Sequence, residues 1–178
     1  MISLKYPLIR SFPVSQPFGA NPQNYQKAGF AGHEGIDWAC PTNTLVLAAC
    51  DGIVWAVGTI TGASISAKKS IGSGAYGNRV IIRHDNDAFT IYAHLESWIP
   101  YVGDKVQAGN PIGKSGSTGR STGPHLHFSL CLPIQNVGYA APMSISRRKG
   151  YEIVTLWYHD PSKYFSTEPA KRTLGQEY

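Results

Sequence analysis

The sequence predicts an all-β protein, and three observations carry that prediction. Short runs rich in Val, Ile, Phe, Tyr and Thr alternate with clusters of Gly, Asn, Asp and Pro. No stretch sustains the 3.6-residue apolar period, with capping residues, that a long helix needs. The 178-residue chain carries 19 Gly and 12 Pro against only 15% charged residues, a mixture that suits a turn-rich globular fold better than a helical or disordered one.

The candidate strands follow in chain order. "LVLAAC" covers 45–50 and "GIVWAVG" covers 52–58. "NRVIIRH" (78–84) and "AFTIYAHL" (88–95) are separated by Asp85, Asn86 and Asp87, which supply hairpin-turn chemistry. "HLHFSLCL" (125–132) and "YEIVTLWY" (151–158) complete the set. Two stretches read as loops. Residues 58–77 are rich in Gly and Ser and predict a mobile, lid-like segment; residues 133–150 show little periodicity and end in the basic "RRKG". With no internal repeat and no dividing linker, the chain reads as a single domain over 1–178. The tail at 166–178 is polar and is expected to pack loosely.

This length suffices to bury a substantial core. A formal net charge of +5 makes anionic surfaces plausible partners, whether a bacterial cell wall, a membrane or nucleic acid. The basic residues are scattered apart from Lys68-Lys69, Arg147-Arg148-Lys149 and Lys171-Arg172. No reader motif accompanies them, so nucleic acid is not expected as a partner. The three cysteines, Cys40, Cys50 and Cys131, lack C-x-x-C spacing and read as small buried hydrophobes; a Cys40–Cys50 bridge stays open. Lys5, Pro7, Arg10 and Pro13 interrupt the N-terminal stretch, which lacks the apolar region of a signal peptide. No apolar run approaches the ~18 residues of a membrane span. The expectation is a soluble monomer with no export signal of its own.

The histidines carry the chemistry. In "GPHLHF", His125 and His127 are two apart and would project from one face of a strand, so both could ligate a metal, or one could ligate while the other handles a proton. In "GHEGID", His33 and Asp37 would stand roughly 13 Å apart on a straight strand, too far to share an ion. Gly35 between them can adopt backbone angles closed to other residues and so bend the chain. Imidazole nitrogen and carboxylate oxygen are both good zinc ligands; equally, these two residues could be a turn histidine and a capping aspartate. His94 ends the apolar run "TIYAH", a place where a histidine is most often structural. Taken together, four of six histidines and one aspartate fall at strand ends beside small or turn residues. Three N/O ligands with a fourth position open to water make a catalytic zinc site rather than a structural one. His84 and His159 have no partners at ligand spacing and read as structural or solvent-exposed.

The set "HEGID", "YAHL" and "GPHLHF", in that order, resembles the lysostaphin-type zinc metallopeptidases, which cut peptide cross-links in bacterial peptidoglycan. "PFG" at 17–19, "LAACDGIVWAVG", "YGNRVIIRH", "VGDKVQAGNPIGKSGSTG" and "HDPSKYF" extend the resemblance over about Phe12 to Phe165. It implies twisted antiparallel sheets with a loop-walled groove. It also implies Zn²⁺ held by His33, Asp37 and His127, with His94 and His125 as the unligated catalytic histidines. Tyr25 and Asn78 become the candidate substrate-binding residues. Residues 131–157 exceed the family's usual link to the closing Asp-Pro, so one groove wall is expected to be rebuilt.

The expected function is therefore a peptidoglycan endopeptidase. The N-terminal composition points to a phage endolysin or virion-associated lysin, made in the cytoplasm and delivered to the wall. The alternative is a non-catalytic cell-wall-binding or virion structural module on the same fold.

Overall fold

Twelve strands, every ladder between them antiparallel, organise the computed structural model, which describes residues 2–59, 74–133, 143–146 and 153–166. They are β1 (Val14–Gln16), β2 (Ile36–Trp38), β3 (Leu45–Leu47), β4 (Gly52–Thr59), β5 (Asn78–Arg83) and β6 (Phe89–Ala93). After these come β7 (Leu95–Trp98), β8 (Lys105–Val106), β9 (Pro111–Ser115), β10 (Leu126–Leu132), β11 (Met143–Ser146) and β12 (Ile153–His159). The one described α-helix is a single turn, α1 (Pro22–Tyr25). All six strand runs read from the sequence are present. The strands that sequence patterning did not reveal are β1, β2, β8, β9 and β11, of two to five residues each, too short to display a period. The 88–95 run breaks at His94 into β6 and β7.

Nine strands form one sheet in the order β1-β2-β10-β6-β5-β4-β8, with β12 pairing the far end of β10 and β11 pairing β12. One edge of β10 is thus shared end to end: β2 pairs with Leu126–Phe128, and β12 with Leu130–Leu132. The remaining strands form a small sheet in the order β3-β9-β7. The turn expected at 85–87 is a 3₁₀ turn joining β5 to β6.

Alternation along the central strands sorts their residues onto two faces. Val80, Ile82, Tyr92, Leu126, Phe128 and Leu130 point into one cluster, which also takes Val46, Leu95 and Ile112 from the small sheet. The two sheets therefore pack on each other through this core. Ile81, Ile91, Ala93 and Cys131 point the other way, against Leu156 and Tyr158 of β12. Burial on both faces explains why these strands read as nearly continuous apolar runs. Phe128 packs edge-on against Tyr92 with ring centroids 5.2 Å apart, and truncating such a buried aromatic costs about 3–5 kcal/mol. His127 and Ser129 share the face of Cys131, which places the polar site on the side of the large sheet away from the small one.

All three cysteines are free, Cys40 and Cys131 buried and Cys50 partly so. His84 and His159 are both buried rather than solvent-exposed. The expected lid at 58–77 lies outside the described residues from 60 to 73. So do 134–142 and 147–150 of the second loop, and 167–178 of the tail. Among the described residues no helix is long and apolar enough to cross a membrane.

Candidate metal centre

Asp37 on β2 lies opposite His127 on β10, and His127 lies opposite Ala93 on β6. Directly opposed residues in an antiparallel pair hold their Cβ atoms ~4.5–5.5 Å apart, so the ladder alone brings the carboxylate to the imidazole. His33 arrives from the segment entering β2. Asp37 Oδ1 stands 2.8 Å from His127 Nδ1 and 3.2 Å from His33 Nε2, and those two nitrogens are 3.0 Å apart. All three residues are buried.

The donor set fits zinc. Two imidazole nitrogens and a carboxylate oxygen are among its preferred ligands, and donors ~2.0–2.2 Å from a tetrahedral ion stand ~3.3–3.6 Å from one another. The triangle of 2.8, 3.0 and 3.2 Å needs only a modest opening to seat such an ion. The outer ring atoms are also committed. His33 Nδ1 lies 3.2 Å from the Pro17 carbonyl, so Nε2 is the ring atom turned toward Asp37. His127 Nε2 is 2.7 Å from Ser129 Oγ, which leaves Nδ1 facing the other two donors. Partners of this kind fix a ligand's tautomer and orientation.

Gly35 makes the approach possible in a way the sequence did not indicate. Its backbone is not in the left-handed region. The requirement is room: a Cβ here would lie 2.5 Å from the Phe128 carbonyl oxygen, 2.7 Å from His127 Cε1 and 2.8 Å from Ser129 Oγ. The chain entering β2 lies directly on β10, and only glycine allows it.

His94 and His125 border this triad. Their ring centroids are 4.5 Å apart, and His94 is 5.9 Å from the ring of His127. His125 Nε2 stands 3.9 Å from Asp37 Oδ2. Each ring donates through Nδ1 to a backbone carbonyl at 2.8 Å, His94 to Thr118 and His125 to Gly123. A carbonyl can only accept, so in the neutral rings Nε2 carries no proton and is free to take one.

Electrostatics follow from burial and this crowding. Burial alone would raise the Asp37 carboxyl, but hydrogen bonds and charge from His127 and His33 hold it well below the usual carboxylate range. For His127, burial works against the charged form, yet the Asp37 hydrogen bond and charge prevail and raise it. His94 is lowered to about 4, chiefly by burial and then by the charge of His127. At neutral pH His94 is therefore an uncharged imidazole with an open Nε2.

Tyr25, on the last residue of α1, packs its ring 5.6 Å from that of His33, and its hydroxyl accepts from Gln16 Nε2 at 2.8 Å. Burial and then the charge of Glu34 push the Tyr25 phenol up to about 12, so it remains a donor at working pH. Asn78 opens β5, its Nδ2 reaching the Glu96 carbonyl at 3.5 Å and its backbone N–H donating to Thr118 Oγ1 at 3.0 Å. The structure thus gathers His33, Asp37, His94, His125 and His127, sets Tyr25 against His33, and ties Asn78 to the loop behind His94.

Several participants escaped the sequence reading. Ser129 sits two residues after His127 on the same strand face, and alternation could have flagged it. Glu34, buried beside His33, accepts from the Tyr76 hydroxyl at 2.5 Å and lies 4.0 Å from His127 Nε2. The carbonyls of Pro17, Thr118 and Gly123 leave no side-chain signature at all.

Two histidines and a carboxylate placed to hold a metal ion, with two further histidines beside them on antiparallel sheets, suit a metal-dependent hydrolase. The chain belongs to Peptidase family M23, whose model matches residues 31–137, and the lysostaphin-type motifs are those of this family. The peptidoglycan DD-endopeptidase ShyA of Vibrio cholerae is 33% identical over 145 residues, covering 80% of this chain and 31% of that protein. A zinc-containing peptidase from Vibrio cholerae, known from its crystal structure, is 28% identical with a TM-score of 0.58, over 73% of this chain and 36% of its own. The solution structure of lysostaphin is 27% identical with a TM-score of 0.56, over 79% of this chain and 51% of its own. The chain spans less than a third of the length of the curated relatives it matches. Zinc is the metal of this family, and the His33–Asp37–His127 donor set suits it.

Proposed function

We propose that this chain is a zinc-dependent endopeptidase that hydrolyses the peptide cross-links of bacterial peptidoglycan. The observation that carries the proposal is the convergence of three candidate metal donors within 4.8 Å of one another beside two histidines whose Nδ1 atoms each lie 2.8 Å from a backbone carbonyl. Zinc, when bound, supplies Lewis-acid chemistry, making a water acidic near neutral pH and polarising the scissile carbonyl. The chain's own residues handle the protons. His94, neutral and committed at Nδ1, takes a proton at Nε2; His125, oriented the same way, shares the task of returning one to the leaving amine. Tyr25, kept as a phenol, offers a hydrogen bond at the edge of the site, and Asn78 lines the wall behind it.

The substrate class is supported by the relatives: ShyA is a peptidoglycan DD-endopeptidase, so a bond between D-centres is the first to examine. A sequence pI of about 9.1 favours contact with an anionic wall. The wall is then the place of action. Carriage within a longer bacterial enzyme and delivery as a phage endolysin or virion lysin both bring the domain there, and the relatives named above with a source are bacterial.

The test is digestion of purified peptidoglycans of two or three chemotypes by zinc-loaded protein, with mass spectrometry of the fragments. A new free amine on the cross-bridge, absent with His127→Ala, is the expected product. New reducing sugar ends would mean a glycosidase, and no release from any chemotype would leave a wall-binding module; either result overturns the proposal.

A further inference from the structure

We propose that Thr118 is the positioning residue of His94, an assignment that rests on the function proposed above. His94 is difficult to hold. Its φ of 59° is in the left-handed region, which a residue with a side chain adopts only where its surroundings impose it. Thr118 contacts both the ring at that strained position and the residue that follows it. Its carbonyl accepts from His94 Nδ1 at 2.8 Å. Its hydroxyl donates to the carbonyl of Leu95, the next residue, at 2.9 Å. The same oxygen accepts from the backbone N–H of Asn78, at the start of β5, at 3.0 Å.

One side chain therefore joins the first residue of β5 to the residue after His94, while its own backbone dictates which ring nitrogen carries the proton. The surrounding loops leave no slack. A Cβ on Gly77 would collide with Thr118, and one on Gly119 would collide with Gly77. Arg120 N–H donates to the Ala75 carbonyl at 2.8 Å, and His94 N–H to the Tyr76 carbonyl at 2.9 Å. The same loop serves the second histidine: Ser121 Oγ donates to the Gly123 carbonyl at 2.8 Å, and that carbonyl holds His125 Nδ1. The stretch "GSTGRSTG" is thus a frame for two imidazoles, with Thr118 as its fastening.

Without the Thr118 hydroxyl, the Leu95 carbonyl and the Asn78 N–H lose a shared partner, and the Thr118 carbonyl is free to drift from His94. The ring can then adopt the Nε2–H form, which cannot accept a proton where the reaction needs it. Metal binding, which the proposed site builds from β2, the segment entering it and β10, is expected to persist.

Thr118→Val removes the hydroxyl and keeps the shape; Thr118→Ser restores the hydroxyl. On a soluble cross-linked peptidoglycan dimer, Thr118→Val is expected to lower kcat about 10- to 100-fold, the scale of a displaced catalytic group. KM and zinc content should stay at wild-type values, and Thr118→Ser should return kcat toward that of the wild type. Equal kcat in the Val variant overturns the assignment, as does a loss shared by the Ser variant. Long-range ¹H–¹⁵N spectra of the wild-type protein give a second readout that needs no variant to fold. They should report His94 as the Nδ1–H tautomer, and the Nε2–H tautomer overturns the proposal. A wild-type protein without peptidase activity would defeat the functional reading, while the tautomer spectrum would still decide the Thr118 contact.

Discussion

Asp37 and His127 face each other across the β2–β10 ladder with Oδ1 and Nδ1 2.8 Å apart, so metal affinity is tied to strand register. Asp37→Asn preserves volume but removes the negative charge and substitutes a weaker donor. Elemental analysis should find one zinc per wild-type chain and well under one in Asp37→Asn. Full occupancy in the variant would remove Asp37 from the ligand set.

Ser129 supports the same proposed ligand from behind, its Oγ 2.7 Å from His127 Nε2. Loss of a partner of this kind typically weakens metal binding about 10- to 100-fold. Ser129→Ala should show a weakening on that scale in a competition titration with a chelator, while its circular dichroism stays that of the wild type. An unchanged affinity would mean that packing alone orients the ring.

Gly35→Ala should do more damage than its size suggests. The added methyl would press on the Phe128 carbonyl oxygen at 2.5 Å and on His127 Cε1 at 2.7 Å, and backbone cannot yield as a flexible side chain can. Relief requires β2 to lift from β10, which opens the metal triangle. Thermal melts with and without added zinc should show a lower midpoint for the variant and little or none of the zinc-dependent rise expected of wild type, since only ligand binding to the folded state stabilises it.

The same glycine shows how far the sequence could be read. The histidine and aspartate positions were legible because their spacing and order are chemical signals carried by side chains. The central strands β5, β6 and β10 were legible because both faces are buried. The place of Gly35 between His33 and Asp37 suggests freedom of backbone angles; that another strand lies against it is a tertiary fact with no local trace. The ring contacts of Thr118 and Gly123 are made by carbonyls that every residue possesses, and the Thr118 hydroxyl reaches only backbone groups, so their part in orienting His94 and His125 could be seen only in three dimensions. Short strands such as β2 and β8 are held by their neighbours rather than by any periodicity of their own.

His84 lies away from the centre and makes the fold sensitive to acid. Its Nδ1 donates to the Asp51 carbonyl at 2.7 Å, its Nε2 is 2.8 Å from Thr90 Oγ1, and that oxygen is 3.1 Å from the Tyr92 hydroxyl. Burial lowers the His84 pKa from 6.5, against the smaller opposing effects of the Asp51 hydrogen bond and of the Asp85 and Asp51 charges. The unfolded chain therefore binds the proton first. The stability from neutral His84 is complete above the unfolded pKa and is lost as pH falls from there through the lower folded value. A difference of one bound proton changes stability by about 1.4 kcal/mol per pH unit. The melting midpoint should drop between pH 7 and pH 5, and the drop should be smaller in His84→Gln. An equally steep drop in that variant would assign the acid sensitivity to other groups.

The two histidines proposed for proton transfer should separate cleanly from the proposed ligands. His94 and His125 border the triad with their Nδ1 atoms on the Thr118 and Gly123 carbonyls, so in the proposed site neither serves to retain the ion. His94→Ala and His125→Ala should keep a full complement of zinc while losing about 10²- to 10⁴-fold in kcat, the usual contribution of a positioned acid or base. His127→Ala should lose both metal and activity, because it removes the donor shared between His33 and Asp37. The comparison depends on measuring zinc and turnover on the same samples. If His125→Ala also came back metal-free, its Nε2, 3.9 Å from Asp37 Oδ2, would have to be counted among the ligands, and proton transfer would fall to His94 alone.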